Sequence, residues 1–193
     1  MKEDRCEQCA QPTAAYDTIH YGSMASGYRL LCSRCFNAEV AKQNGLTDFE
    51  NVRLEPIPLV DCAGEAHRFH FQMRLLGDMI VLDAFELQDE HRAGYEFRII
   101  GEPEDDVLTL LVRLVEKIRR ALSVKHLTVD DHQLRIVDQT VRGRISSDIT
   151  GPGDTPLVVV DGKEISWDDL GRMLMTFEGW QFKLDIADGA DEL

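Results

Sequence analysis

The sequence predicts an α+β protein in which a small four-cysteine zinc unit precedes an antiparallel-sheet domain with two main helices. Three observations carry this. Cys6, Cys9, Cys32 and Cys35 form two C-x2-C pairs. A long period-two stretch from residue 66 is followed by further strand patterns with short connections. The apolar stripe of residues 104–123 and the shorter one of 166–179 have helical spacing. Strands come in clusters and do not alternate with helices, which favours antiparallel sheets over a doubly wound fold. The expected units are residues 1–45 and 46–193, the second divisible at 54–126 and 127–193.

In the first unit the cysteine pairs are separated by 22 residues, C-x2-C-x22-C-x2-C. That is zinc-site spacing. A two-residue gap lets both thiolates of a pair face one point about 2.3 Å from Zn2+, and two pairs complete a tetrahedron. A disulfide framework does not suit a chain whose start, "MKEDRCEQC", lacks the apolar core of a secretory signal. A thioredoxin-type couple needs one pair and a βαβ setting, and neither pair has that setting. One structural zinc per chain is expected on Cys6, Cys9, Cys32 and Cys35. A catalytic zinc keeps a position open for water, and four thiolates leave none. Between the pairs, "YDTIHYGS" and "SGYRLLC" suit a hairpin. Gly22, Ser23, Ser26 and Gly27 fit its turn, and no phosphate-loop pattern includes them. The helix after Cys35 should stop at Asn44-Gly45.

Pro56 and Pro58 in the next segment suit a connector or an edge strand. His67, Phe69, Phe71, Met73 and Leu75 then alternate with Arg68, His70, Gln72 and Arg74, a strand with one buried face. "MIVLDAFEL" and "GYEFRII" predict two more strands across a "QDEHRAG" connection. Val107, Leu110, Leu111, Leu114, Val115, Ile118 and Leu122 line one face of the long helix. Acids at its start and bases at its end match the helix dipole. A strand of unclear limits follows within 132–146, then a hairpin at Asp161-Gly162. Ser166 and Asp169 have capping-box spacing for a helix that places Trp167, Leu170, Met173, Leu174 and Phe177 on one face. In this reading Trp167, Met173, Met175 and Phe177 are core, part of them a possible interaction face. "WQFKLDIAD" completes the chain as a strand before an acidic tail.

Charge narrows the partners. The net charge is −14, with 29% charged and 44% hydrophobic residues. Nucleic-acid affinity comes mostly from Lys and Arg on phosphates, so this balance disfavours it. The first 45 residues carry five basic and five acidic side chains, and four thiolates on Zn2+ would add about two negative charges. No apolar run approaches the ~20 residues that span a bilayer. A cytoplasmic protein with a protein partner, or one that self-associates, is expected.

No catalytic residue is assigned. An alternative hydrolase-type site would draw on His20, Cys62, His67 and His70, with Asp61 or Glu65 nearby. His67 and His70 have opposite parity, so they point to opposite sheet faces. Asp83 and Glu86 differ in parity too, against a paired-carboxylate site. The remaining alternative is a nucleic-acid-linked regulator acting through the cysteine unit.

Two resemblances add to this reading. "CSRCFNAEVAKQ" (residues 32–43) resembles the treble-clef finger, in which the last two zinc ligands open a helix; the likeness covers residues 6–43. It lacks the histidines of the His-metal nucleases built on that finger. "HYGSMASGYRLLCSRCFN" (20–37) with "ISWDDLGRMLMTFEGWQFKL" (165–184) resembles a family of uncharacterised bacterial proteins. That likeness implies a cytoplasmic bacterial protein with an N-terminal zinc finger and an α+β C-terminal region, and no activity. Removing Cys32 is expected to unfold the finger, with little effect on the core built around Leu111 and Leu114.

Overall fold

The computed structural model describes residues 4–25, 27–47, 49–147 and 155–191. In chain order its strands and helices are β1 (Asp4–Arg5), β2 (Pro12–Thr13), β3 (Thr18–Ser23), β4 (Gly27–Cys32) and α1 (Ser33–Asn44). Then come β5 (Ile57–Val60), β6 (Ala66–Leu76), β7 (Met79–Gln88), β8 (His91–Gly101) and α2 (Val107–Leu122). The last third holds β9 (Leu127–Asp130), β10 (Gln133–Ile136), β11 (Arg144–Ser147), β12 (Pro156–Val160), β13 (Lys163–Ser166) and α3 (Trp167–Leu174). All sheets are antiparallel, so the α+β class holds. Among the described residues, no helix is long and apolar enough to cross a membrane.

The central sheet has the order β5-β6-β7-β8. Phe69, Met73, Leu75, Ile80, Leu82, Ala84 and Ile99 pack in one core with the α2 residues Val107, Leu110, Leu114, Ile118 and Leu122. Leu111 and Val115 flank that stripe, half-buried. The helix starts at Asp106, whose carboxylate accepts from the backbone N–H of Thr109 at 2.9 Å and satisfies a donor the helix cannot. The β7–β8 connection is tighter than the sequence predicts. Asp89 and Glu90 both take left-handed backbone (φ 50° and 67°), so a two-residue turn lets β8 begin at His91. Asp131 and His132 turn β9 into β10 in the same way (φ 46° and 63°).

The finger shares this core. Leu31, Phe36, Val40 and Ala41 are buried in the same cluster as Phe69 and Leu114, so loss of the finger is expected to reach that core, against the sequence-based expectation of little effect on it. The junction rests on Asn37, which is 1% exposed. β5 pairs with β6 only up to Phe69, and α1 takes over the edge beyond it. Asn37 Nδ2 donates to the Met73 carbonyl at 2.9 Å, and its Oδ1 accepts from the Leu75 N–H at 2.8 Å. A buried strand edge with unpaired backbone groups is costly. Asn37→Leu should therefore destabilise the protein by about 3 kcal/mol in urea unfolding. A loss under about 0.5 kcal/mol, the scatter of neutral surface changes, would show that water satisfies the edge instead.

The last third has its own small core of Leu127, Val158, Val160, Ile165 and Met173. The Asp161-Gly162 hairpin forms as predicted (φ 50° and 73°), and Asp161 Oδ2 accepts from the N–H groups of His126 and Leu127, each at 2.8 Å. Ser166 caps α3 by accepting from the Asp169 N–H at 3.1 Å. Two expectations fail here. Of the apolar group assigned to the core, only Met173 is buried; Trp167 and Met175 are exposed and Phe177 is partly so. Five buried side chains make too small a core to cover a whole helix face. "WQFKLDIAD" forms no strand: residues 178–187 carry no helix or sheet and are exposed.

Candidate metal centre

Each cysteine pair sits on a turn that aims two sulfurs at one point. Cys6 and Cys9 lie between β1 and β2, where the Ala10 N–H donates to the Cys6 carbonyl at 2.8 Å and Ala10 takes left-handed backbone (φ 58°). Cys32 ends β4 as the N-terminal cap of α1, and Cys35 lies in the helix's first turn. The hairpin β3–β4, registered from Thr18 opposite Cys32 to Ser23 opposite Gly27, brings the second pair back to the first. Gly22 is required in it, because a Cβ there would collide with the Gly27 carbonyl. Glu7 locks the two halves together. Its N–H donates to the Leu30 carbonyl at 2.8 Å and its Oε1 accepts from the Leu30 N–H at 2.9 Å.

The four sulfurs lie within 4.8 Å of one another and form no disulfide. A tetrahedron with bonds of about 2.3 Å has sulfurs about 3.8 Å apart, so this spacing suits one metal ion. Electrostatics points the same way. Burial opposes ionisation of Cys6, yet the backbone N–H groups of Cys9, Cys32 and Gln8 outweigh it and bring the thiol down to about 6. Cys35 is pushed well above the ordinary thiol range, first by burial and then by the thiols of Cys32, Cys6 and Cys9. Burial and the neighbouring Cys6 also raise Cys32. The Cys6 thiolate is favoured while those of Cys32 and Cys35 are opposed, and a cation shared by the cluster would remove that opposition.

The other candidate residues do not gather. His20 is exposed on β3. His70 packs its ring against Tyr16 and Phe85, and burial, with Arg68 beside it, lowers its pKa. Cys62 is exposed, and its backbone N–H donates to the Leu122 carbonyl at 2.9 Å. His67 lies on the other face of β6, with Nδ1 2.9 Å from Glu86 Oε1 and Nε2 3.3 Å from Asp61 Oδ2. Asp61, Glu65 and His67 are close enough to share a cation. Lys125 already supplies one, its ammonium 2.6 Å from Asp61 Oδ2. That contact leads the interactions holding the Asp61 carboxyl well below the usual range, so the group is a structural ion network. Neither the 540 Å3 depression lined by Leu46, Phe49, Glu50 and Pro103–Val107 nor the 350 Å3 one beside Tyr16 and Arg74 is lined by His20, Cys62, His67 or His70.

A second polar cluster has no signature in the sequence. Asp83, wholly buried on the sheet face away from α2, receives Arg74 Nη2 and Arg98 Nε at 2.7 Å each and Arg92 Nη1 at 3.4 Å. Burial opposes its ionisation, and Arg98, Arg74 and Arg92 together hold it below the usual carboxylate range. These arginines sit far apart in sequence, and only the strand register makes them neighbours.

The fold and site thus define a protein with a four-cysteine cluster of metal-site geometry, docked on the edge of an antiparallel sheet. Three family models match it, each described as a domain of unknown function: DUF7685 over residues 5–47, DUF7686 over 50–123 and DUF7713 over 125–191. The first match contains all four cysteines, the second the central sheet with α2, and the third the small core with α3. Together they indicate an uncharacterised family. No curated protein and no solved structure matches the chain.

Proposed function

We propose that residues 4–45 are a treble-clef-like finger holding one structural Zn2+, and that the protein is a non-enzymatic interaction or assembly module of the cytoplasm. The convergence of Cys6, Cys9, Cys32 and Cys35 carries the reading. One pair on a turn, then a hairpin, then a pair opening a helix is the order of a treble clef. All-thiolate donors suit Zn2+, and four of them leave no coordination position for water or substrate. The finger's buried side chains run into the sheet core, which supports a fastening role. Nothing gathers His20, Cys62, His67 and His70 into a hydrolytic centre, and the net charge of −14 continues to disfavour nucleic acid.

Metal analysis of the purified full chain tests the site. One zinc per chain is expected, and Cys9→Ser, at an exposed position, should lose most of it. A wild type with well under one metal ion per chain refutes the finger. The module reading is tested by affinity purification from the native host, comparing wild type with Cys32→Ser. A catalytic turnover by the purified protein would sink it.

A further inference from the structure

Residues 180–187 have the pattern of a half-buried strand without a sheet to join. Trp180, Phe182, Leu184 and Ile186 alternate with Gln181, Lys183, Asp185 and Ala187. The four apolar side chains are 60%, 91%, 69% and 71% exposed, and their polar neighbours are exposed as well. Both ends of the segment are tied down. At one, the Trp180 N–H donates to the Phe177 carbonyl at 2.9 Å and the two rings meet edge to face. At the other, Lys117 Nζ reaches the carbonyls of Gly189, Ala190 and Asp191 at 2.8–3.2 Å. Held so, the apolar row faces solvent, and Trp167, Leu174 and Met175 on and after α3 are exposed as well. Soluble chains rarely leave such a row bare without a use for it.

We infer that its occupant is a second copy of this chain, the two segments pairing antiparallel about a two-fold axis through Leu184. Charge selects both the partner and the register. Copies carrying −14 each repel, so their contact needs local complementarity. Lys183 is the one cation between Gly179 and Leu193. With Leu184 facing Leu184, Phe182 faces Ile186 on one side of the ribbon, and Lys183 faces Asp185 twice on the other. Moving the register by two residues sets Lys183 against Lys183 or Asp185 against Asp185. Moving it by one sets apolar side chains against polar ones. Within one chain Lys183 Nζ already lies 3.0 Å from Asp185 Oδ1, which places both on the same side. A two-stranded ribbon is marginal alone, so the exposed apolar residues of α3 are expected to add to the buried area. The inference rests on the assembly reading above but not on the metal.

Sedimentation of the full chain tests it, with metal content and circular dichroism measured on the same samples. The wild type should be a dimer. Lys183→Asp sets carboxylates opposite each other twice and should weaken dimerisation about tenfold or more. Lys183→Asp combined with Asp185→Lys restores opposite charges and should restore the dimer. All these side chains are exposed, so the fold should survive each change. A monomeric wild type, a dimer indifferent to Lys183→Asp, or a double variant that stays monomeric would overturn the inference. A monomer that retains one zinc per chain leaves the finger standing, and capture by an unrelated protein alone would count against self-pairing.

Discussion

Stripping the proposed metal should destabilise the central sheet as well as the finger. Leu31, Phe36 and Val40 belong to the core that also contains Phe69 and Leu114. Each buried side chain of this size contributes about 1.5–3 kcal/mol, so releasing α1 costs the sheet on the order of 5 kcal/mol. That is comparable with the whole stability of an ordinary domain, about 5–15 kcal/mol. Chelation, or Cys32→Ser, is therefore expected to abolish hydrogen-exchange protection in α1 and along β6 at Met73 and Leu75. Urea unfolding of the remaining sheet should shift to markedly lower denaturant. Unaltered protection at Leu75 after complete metal removal would contradict the shared core.

Asp83→Asn should produce the second large loss, about 3 kcal/mol in denaturant unfolding, because three guanidinium groups then share a neutral amide. The partly exposed arginines can turn toward water, which keeps the cost at the lower end for a broken buried pair. The same carboxylate makes the wild type acid-sensitive. Its folded-state pKa lies below the unfolded value of 3.8. Its contribution is thus complete above that value and lost as the pH falls through the folded one. Asp61, held down first by Lys125, titrates in the same sense. Stability should fall steeply below about pH 4, and Asp83→Asn should flatten that slope. A wild-type profile flat down to about pH 2 would show that the arginines do not depend on the charge.

What was legible in the sequence is what short-range chemistry writes down. The cysteine spacing named all four sulfurs that converge, because each pair is shaped by its own turn. The stripe from Val107 to Leu122 located α2, and Asp161-Gly162 located a turn, because glycine marks left-handed backbone. Asp89-Glu90 and Asp131-His132 make the same kind of turn without glycine, so β8 began earlier than its apolar residues announced. Asn37 looked like an ordinary polar helix residue, since its partners are 36 and 38 residues away. The arginines around Asp83 were hidden likewise, for only strand register assembles them. "WQFKLDIAD" misled in an informative way: its alternation is that of a strand, and among the described residues it has no strand neighbour.

The bond between Asn37 and β6 also bears on what happens to the protein when metal is scarce. A strand that loses its cover offers unpaired backbone to any other chain with a free edge. In the folded protein α1 closes that opening at Met73 and Leu75, and α1 in turn is held by Cys32 and Cys35 at its first turn. With the proposed zinc as the fastener, metal supply would govern solubility. Chains made without the ion would present an adhesive edge to one another and become clients of chaperones and proteases, and their abundance is then expected to follow metal supply even when their synthesis does not.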